Sequence, residues 1–290
     1  MIGIVLALLS AMAYGSSVVF IGKKLNESNF VFASLVPTVV GNIILWPLAL
    51  LFTDFGSLNF EGVLLFVVAG ILAPGLARLS YYKGVEVVGV SVNASIFATN
   101  PIYSSILAVV MLSEVPTLLN WIGIICVIVG VVYVERSLRS LGSVRKRISK
   151  KGLIFPILAA LTVALSLTAR KYGLTIYNEP LFGVAIGYSS SLLLYLLLSI
   201  FSNNKVGSGF SGKDFKLFWK GGVGLSMAWV LSFYALSQEK LSIVAPLIQT
   251  EPLFVLFFVY IYLKELEHIS FKLIMNTLLI VMGAILVSLR

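Results

Sequence analysis

The sequence contains few of the residues on which charged surfaces and most catalytic sites depend. Only 11% of its 290 residues are charged, whereas an ordinary soluble domain has about 25%. It has one cysteine, Cys126, and one histidine, His268. A disulfide framework is therefore excluded, and a metal site or a histidine-based catalytic set has almost no residues to draw on. No nucleotide-binding motif occurs either. These absences argue against an enzyme, and the sequence predicts no cofactor and no metal.

Long apolar runs are what the sequence has instead, and 59% of its residues are hydrophobic. A helix of about 20 apolar residues crosses the hydrocarbon core of a membrane, which is about 30 Å thick. Helices are expected rather than strands, because the runs do not alternate and each segment must satisfy its own backbone polar groups. We therefore predict an all-α integral membrane protein with ten transmembrane helices. The predicted ranges are 3–22, 30–52, 62–82, 89–112, 118–135, 152–170, 180–201, 216–238, 241–263 and 269–289.

Basic residues are concentrated in the connections on one side of the predicted membrane. The segment RSLRSLGSVRKRISKK (136–151) holds seven of the 21 Lys and Arg residues and no acid. Connections on its side carry 15 of them, and those on the other side, where Arg170 and Lys171 are placed, carry four. Short basic connections mark the cytoplasmic side. The bias predicts that both termini lie outside, and we interpret the basic segment as a topology signal rather than a nucleic-acid or lipid site.

The two halves of the chain repeat each other. At a shift of 151 positions, SVNASIFATNPIYSSILAVVMLSE (91–114) falls on SIVAPLIQTEPLFVLFFVYIYLKE (242–265). Five spans per half is an odd number, so the second half must enter the membrane in the opposite direction. We predict two inverted five-helix repeats, 1–135 and 152–290, joined by the basic connection 136–151. Such repeats typically give alternating access to a site near the membrane midplane.

Paired motifs at matching offsets carry a family resemblance. These are ATNP (98–101) and QTEP (249–252), followed by Glu114 and Glu265 at the ends of the same spans. On them the sequence resembles the EamA-type ten-helix carriers of the drug/metabolite transporter (DMT) superfamily, although it lacks the usual glycine before each glutamate. The resemblance implies a carrier of the cytoplasmic membrane, often an exporter of amino acids or other small metabolites, with a central cavity lined by the motif helices. Glu114 and Glu265 either lock the repeats together or are solvated acids.

Glu251 is an acidic residue in the middle of the ninth predicted span. A charged side chain there costs about 3 kcal/mol or more, so it normally faces water or a partner. Three interpretations stay open: a proton-coupling or cation-binding carboxylate, a structural pair with Arg78, or a protonated group bonded to a free backbone carbonyl. The first, a functional site, is favoured over a purely structural role.

Prolines at matching positions predict a helix break in each repeat. Pro252 has no N–H to donate to the carbonyl of Ile248, and Pro101 likewise leaves the carbonyl of Phe97 without its helical partner. Broken helices at corresponding positions of two halves point to a transport site, because the freed backbone groups can face a cavity.

The remaining candidates for substrate binding are one cation and a set of polar and aromatic residues. Arg78, the only basic residue placed deep in a span, would suit a carboxylate or phosphate; it also lies about 6 Å from the end of its span and could reach the membrane surface instead. The others are Asn93, Asn100, Gln249, Tyr14, Ser17, Tyr82, Trp229 and Tyr234. For Ser17 the alternative is helix packing, and for Tyr82 and Tyr234 it is anchoring at the membrane interface.

Three classes of function compete for this pattern. A secondary carrier explains the inverted repeat, the paired prolines and the buried acid together; an intramembrane enzyme or a channel-like protein explains them less well. The sequence therefore predicts alternating-access transport of a small polar or amphipathic metabolite, with the amino acid preference resting on the resemblance alone. Transport would be facilitated diffusion or proton-coupled exchange. The expected partners are the substrate, protons and the lipid bilayer, with no nucleic acid, and the protein would be a monomer or a weak homodimer.

Overall fold

The computed structural model describes residues 1–22, 30–88, 90–139, 151–201, 212–263 and 271–289. Within these ranges all regular secondary structure is helical and there is no strand, so the predicted all-α fold is confirmed. The helices are α1 (Ile2–Gly22), α2 (Phe30–Phe52), α3 (Phe60–Gly70), α4 (Ala77–Val88), α5 (Val90–Phe97), α6 (Asn100–Leu112), α7 (Leu118–Arg139), α8 (Ile154–Ile176), α9 (Pro180–Phe201), α10 (Gly212–Gln238), α11 (Leu241–Ile248), α12 (Glu251–Leu263) and α13 (Phe271–Ser288).

These helices correspond to the ten predicted spans, three of which are broken in two. The third span consists of α3 and α4, the fourth of α5 and α6, and the ninth of α11 and α12. Several predicted ends are corrected. The third span continues to Val88 rather than residue 82, α7 to Arg139 rather than 135, and α8 to Ile176 rather than 170. The basic segment assigned to the connection therefore begins as helix.

The break in the third span was not predicted from the sequence. A π-helical turn, Ile71–Leu76, joins α3 to α4, and Ala73 within it has an extended backbone (φ −149°, ψ 130°). Side chains of the second half donate hydrogen bonds to backbone carbonyls at this break. The Ser166 hydroxyl of α8 donates to the Ala69 carbonyl at 2.7 Å, and the Tyr195 hydroxyl of α9 donates to the Pro74 carbonyl at 2.8 Å. The two halves are thereby hydrogen-bonded to each other at this break.

Small residues let helices of the two halves approach closely. A Cβ added to Gly70 of α3 would overlap the backbone of Gly187 in α9. Likewise, a Cβ on Gly123 of α7 would lie 2.7 Å from the Gly283 carbonyl oxygen of α13. Such contacts are typical of helix packing within membranes, where backbone approach replaces the hydrophobic driving force.

The two faces of the bundle can be told apart by their connections. We call the face where α7 ends and α8 begins the connection face, and the other the opposite face. On the opposite face, the buried Glu114 carboxylate follows α6 and accepts hydrogen bonds from the backbone N–H groups of Leu241 (2.7 Å) and Ser242 (2.9 Å) and from the Ser242 hydroxyl (2.6 Å). It thus caps the start of α11 and ties the repeats together. Its counterpart Glu265 lies outside the described residues.

Candidate functional site

A cavity of about 410 Å³ lies between the two halves of the bundle. This volume falls in the range of about 300–1,000 Å³ typical of small-molecule sites. Six predicted site residues line it, together with Pro252: Tyr14, Arg78, Tyr82, Trp229, Gln249 and Glu251. Apolar wall residues include Val18, Ile21, Val85, Phe97, Val131 and Leu225.

The wall residues place the cavity toward the connection face. Ile21 lies near the end of α1, Val85 near the end of α4 and Val131 in the second half of α7, and all three helices end at that face. The opposite face is closely packed, since a Cβ on Gly3 would lie 2.7 Å from the Cβ of Glu239. This contact and the Glu114 cap join helices at the opposite face.

Arg78 is held in the cavity wall by the neighbouring helix α2. Its Nη1 donates to the Ser34 carbonyl at 3.2 Å and to the Thr38 hydroxyl at 3.3 Å. Because α4 continues ten residues beyond Arg78 to Val88, the rise to the end of the helix is about 15 Å rather than about 6 Å. The alternative that Arg78 reaches the membrane surface was based on the wrong helix end.

Glu251 begins α12, directly after the break in the ninth span. The side chain is half-buried and lines the cavity with Arg78. Its backbone is held against α1 at Gly15, where an added Cβ would lie 3.1 Å from the Glu251 carbonyl oxygen. Among the described residues, the cavity therefore has one acidic and one basic side chain, surrounded by aromatic and aliphatic walls.

The two helix breaks in the fourth and ninth spans meet inside the bundle. At the first, the Asn100 amide donates to the Phe97 carbonyl at 3.0 Å, which is the carbonyl that Pro101 leaves without a helical partner. The same amide nitrogen donates to the Gln249 side-chain oxygen of the second break at 2.7 Å. Asn100 thus links the two breaks and positions Gln249, which lines the cavity.

Four predicted site residues do not line the cavity. Asn100 is buried behind Gln249, and Ser17 is buried with its hydroxyl bonded to the Ala13 carbonyl at 2.7 Å. Asn93 is fully buried beside Gly84, and neither amide atom has a hydrogen-bond partner among the described residues. Tyr234 lies one turn before the end of α10, away from the cavity.

Arg170 is a buried cation that sequence reasoning missed, because the sixth span was predicted to end at this residue. In α8 it is only 4% exposed. Its Nε and Nη2 donate to the Ser166 hydroxyl at 3.2 and 2.9 Å, and Nη2 also donates to the Ala73 carbonyl at 3.2 Å. The guanidinium carbon lies 3.7 Å from the centre of the Trp229 ring. Arg78 is therefore not the only basic residue deep in a span.

The burial of Arg170 is energetically unusual. An arginine at the centre of a spanning helix costs about 2.5–3.5 kcal/mol on insertion scales. A desolvated cation–π contact recovers about 2 kcal/mol, and the hydrogen bonds to Ser166 and Ala73 compensate further. The apolar run LSLTARKYGLTI (165–176) continues past Arg170, and this is the signal that could have placed it inside the span.

Comparison with known proteins supplies the family. The model of a family described as the EamA-like transporter family matches residues 1–136 and 150–289. Among solved structures, the crystal structure of one protein superposes with a TM-score of 0.78 at 14% identity, covering 98% of this chain and 95% of that one. At that identity the likeness shows the fold alone. No curated protein sequence matches the chain. The family match confirms the predicted ten-helix, two-repeat architecture. It also confirms the predicted resemblance to the EamA-type carriers.

Proposed function

Because the chain belongs to the EamA-like transporter family, and is thus a multi-pass membrane transporter of the DMT type, we propose that it carries amino acids or similar small zwitterionic metabolites by alternating access. We propose that it works in the cytoplasmic membrane as an exporter, with the basic connection in the cytoplasm and both termini outside. Transport is then facilitated diffusion or exchange with protons.

The observation that carries this proposal is the pairing of opposite charges within one apolar cavity. Arg78 and Glu251 both line it. A guanidinium binds a carboxylate through two parallel hydrogen bonds, and a carboxylate binds an ammonium group. The walls formed by Tyr14, Tyr82 and Trp229 suit an apolar or aromatic side chain between these two ends. A zwitterion with an apolar side chain matches both the charges and the walls.

The arrangement of the repeats supports a moving site rather than an open pore. The cavity lies toward the connection face, and at the opposite face the Glu114 cap on α11 joins the two repeats. In a protein built from two inverted repeats, the open and closed faces can exchange roles when one repeat rocks against the other. Gln249 and Pro252 then belong to the substrate site, while Asn93, Asn100, Pro101 and Ser17 support its walls and Tyr234 stays outside it.

Glu251 is the residue proposed to couple transport to protons. It is the first residue of the half-helix α12, and it lines the cavity that a proton and the substrate would share. A carboxylate in that position can exchange a proton with water on whichever side the cavity is open.

The test is counterflow of radiolabelled amino acids in proteoliposomes, with leucine, phenylalanine, serine and lysine as the panel. We expect leucine and phenylalanine to be exchanged, and Arg78→Gln to raise the KM for both by about tenfold or more, since it removes a charge-assisted contact. Glu61→Gln is the matched control, because it neutralises an exposed charge at the start of α3. Absence of exchange for every member of the panel would contradict the amino acid assignment.

A further inference from the structure

Arg170 is a buried charge that the cavity does not use. It lies on α8 about two turns beyond Val163, the residue of α8 that lines the cavity. Ala73 and Trp229 line the cavity on one side and contact the Arg170 guanidinium on the other. Arg170 therefore lies between the cavity and the opposite face, directly behind the Trp229 ring.

The guanidinium has no acidic partner in the described part of the chain. Its contacts there are to a hydroxyl, a carbonyl and two aromatic rings, those of Trp229 and, at 5.3 Å, Phe233. A guanidinium has five N–H donors, and those on Nε and Nη2 are used by Ser166 and Ala73. The two donors of Nη1 have no acceptor among the described residues. Arg170 is thus a buried cation held in a fixed position, and its Nη1 can donate to one further oxygen ligand.

Trp229 separates this cation from the cavity. The ring lies 3.7 Å from the guanidinium on one side and meets Tyr188 edge-on at 5.7 Å between centroids. In this span a shift of 152 aligns LSYY (79–82) with LSFY (231–234) and places Trp229 at the position that Ala77, another residue of the cavity wall, holds in the first half. In an inverted repeat, a position that faces the cavity on one side of the membrane has its counterpart facing it from the other side. Movement of Trp229 would thus expose Arg170 when the opposite face opens.

We propose that Arg170 is a second oxyanion subsite, shielded by Trp229, which binds the carboxylate of the substrate when the cavity opens toward the opposite face. This inference rests on the proposed transport of amino acids. Arg78 serves the carboxylate in the state described here, and Arg170 serves it in the alternate state. The ligand class is a small carboxylate, because an anionic oxygen suits both the positive charge and the two N–H groups of Nη1.

The experiment compares acids with their amides on the purified full-length protein. Leucine and phenylalanine are titrated against leucinamide and phenylalaninamide, with tryptophan fluorescence and Tm as readouts. We expect the acids to change the fluorescence at concentrations about tenfold or more below those the amides require. Arg170→Gln should reduce this preference to the part that Arg78 supplies, whereas Arg170→Lys, which keeps the charge but not the guanidinium, should retain more of it. Trp229→Phe should remove the fluorescence change while the acids still raise Tm.

The matched control is Lys220→Gln, which removes a cation that lies 5.7 Å from the exposed Trp219 ring. It should leave the acid-over-amide preference intact. An unchanged preference in Arg170→Gln overturns the subsite while leaving the proposed transport standing. If the wild-type protein exchanges no amino acid in liposomes, the proposed function fails first.

A second measurement needs no variant. Phenylglyoxal modifies accessible arginines, and mass spectrometry locates the modified residues. In wild-type proteoliposomes without substrate, Arg170 should be modified slowly, and leucine should protect it while leucinamide does not. Absence of modification without substrate, or equal modification with leucine and leucinamide, would overturn the proposal.

Discussion

Two helix breaks, one between α5 and α6 and the other between α11 and α12, are held by the same kind of threonine hydrogen bond. They differ in the residue that follows the threonine. In the first, the Thr99 hydroxyl donates to the Ile96 carbonyl at 2.6 Å; in the second, Thr250 donates to the Leu247 carbonyl at 2.7 Å. The next residue differs, because Asn100 is buried and neutral whereas Glu251 faces the cavity.

This difference separates the scaffold from the site. Asn100 satisfies the carbonyl of Phe97 and holds the side chain of Gln249, so both of its contacts are within the protein. Glu251, at the matching position 151 residues later, lines the cavity with Arg78. Duplication therefore supplied two copies of one backbone break, and only the second carries an acid into the cavity.

The largest effect is expected when the two residues are exchanged. The double variant Asn100→Glu with Glu251→Asn keeps the composition but places the acid at a position that is 2% exposed. An unpaired buried carboxylate costs several kcal/mol, and the cavity loses its acidic side chain. We expect a large fall in Tm and loss of amino acid exchange, measured by thermal unfolding and by counterflow. Recovery of exchange to the wild-type rate would show that the two breaks are interchangeable.

An intermediate effect is expected from the bond that joins the breaks. Asn100→Ala leaves the buried oxygen of Gln249 without its donor, which costs about 1–3 kcal/mol. Gln249→Ala should cost a similar amount, and the double variant less than the sum, because the two residues share one hydrogen bond. The Tm values of the wild type, the two single variants and the double variant give a double-mutant cycle. Strict additivity would mean that the Asn100–Gln249 bond contributes nothing.

The smallest effect is expected from the threonines that the breaks share. Thr99→Val and Thr250→Val each remove one hydroxyl bond to a backbone carbonyl, worth about 0.5–1.5 kcal/mol. Because the two bonds have nearly the same length, the Tm should fall by similar amounts in both variants, with little change in the KM for exchange. A loss confined to one variant would show that the backbone of the two breaks is not equivalent.

The sequence was sufficient for the parts of the fold that follow from apolar length and from repetition. Ten spans, their pairing and the positions of Pro101 and Pro252 are visible in the order of residues, because each depends on neighbours close along the chain. The inclusion of Glu251 and Arg78 in one cavity needed tertiary structure, because their helices come from different halves.

Two features were missed for a physical reason. Arg170 was placed in a connection because a charge normally ends an apolar run. Its burial is made possible by Trp229, which is distant in sequence, and by Ser166, one turn earlier in the same helix. The break at Ala73 was missed because the side chains that satisfy its carbonyls, on α8 and α9, lie about 90 or more residues away in sequence. Local patterns cannot report such partners.

The measurement that tests the account most directly compares the wild-type protein with Glu251→Gln in proteoliposomes, using the amino acid that shows the fastest counterflow. Uptake is measured with and without a pH gradient, and counterflow is measured at equal pH on both sides. We expect Glu251→Gln to lose gradient-driven uptake but retain counterflow, because the amide fits the site and cannot exchange a proton. Gradient-driven uptake that is the same in both proteins would contradict the assignment of the coupling acid to the second break.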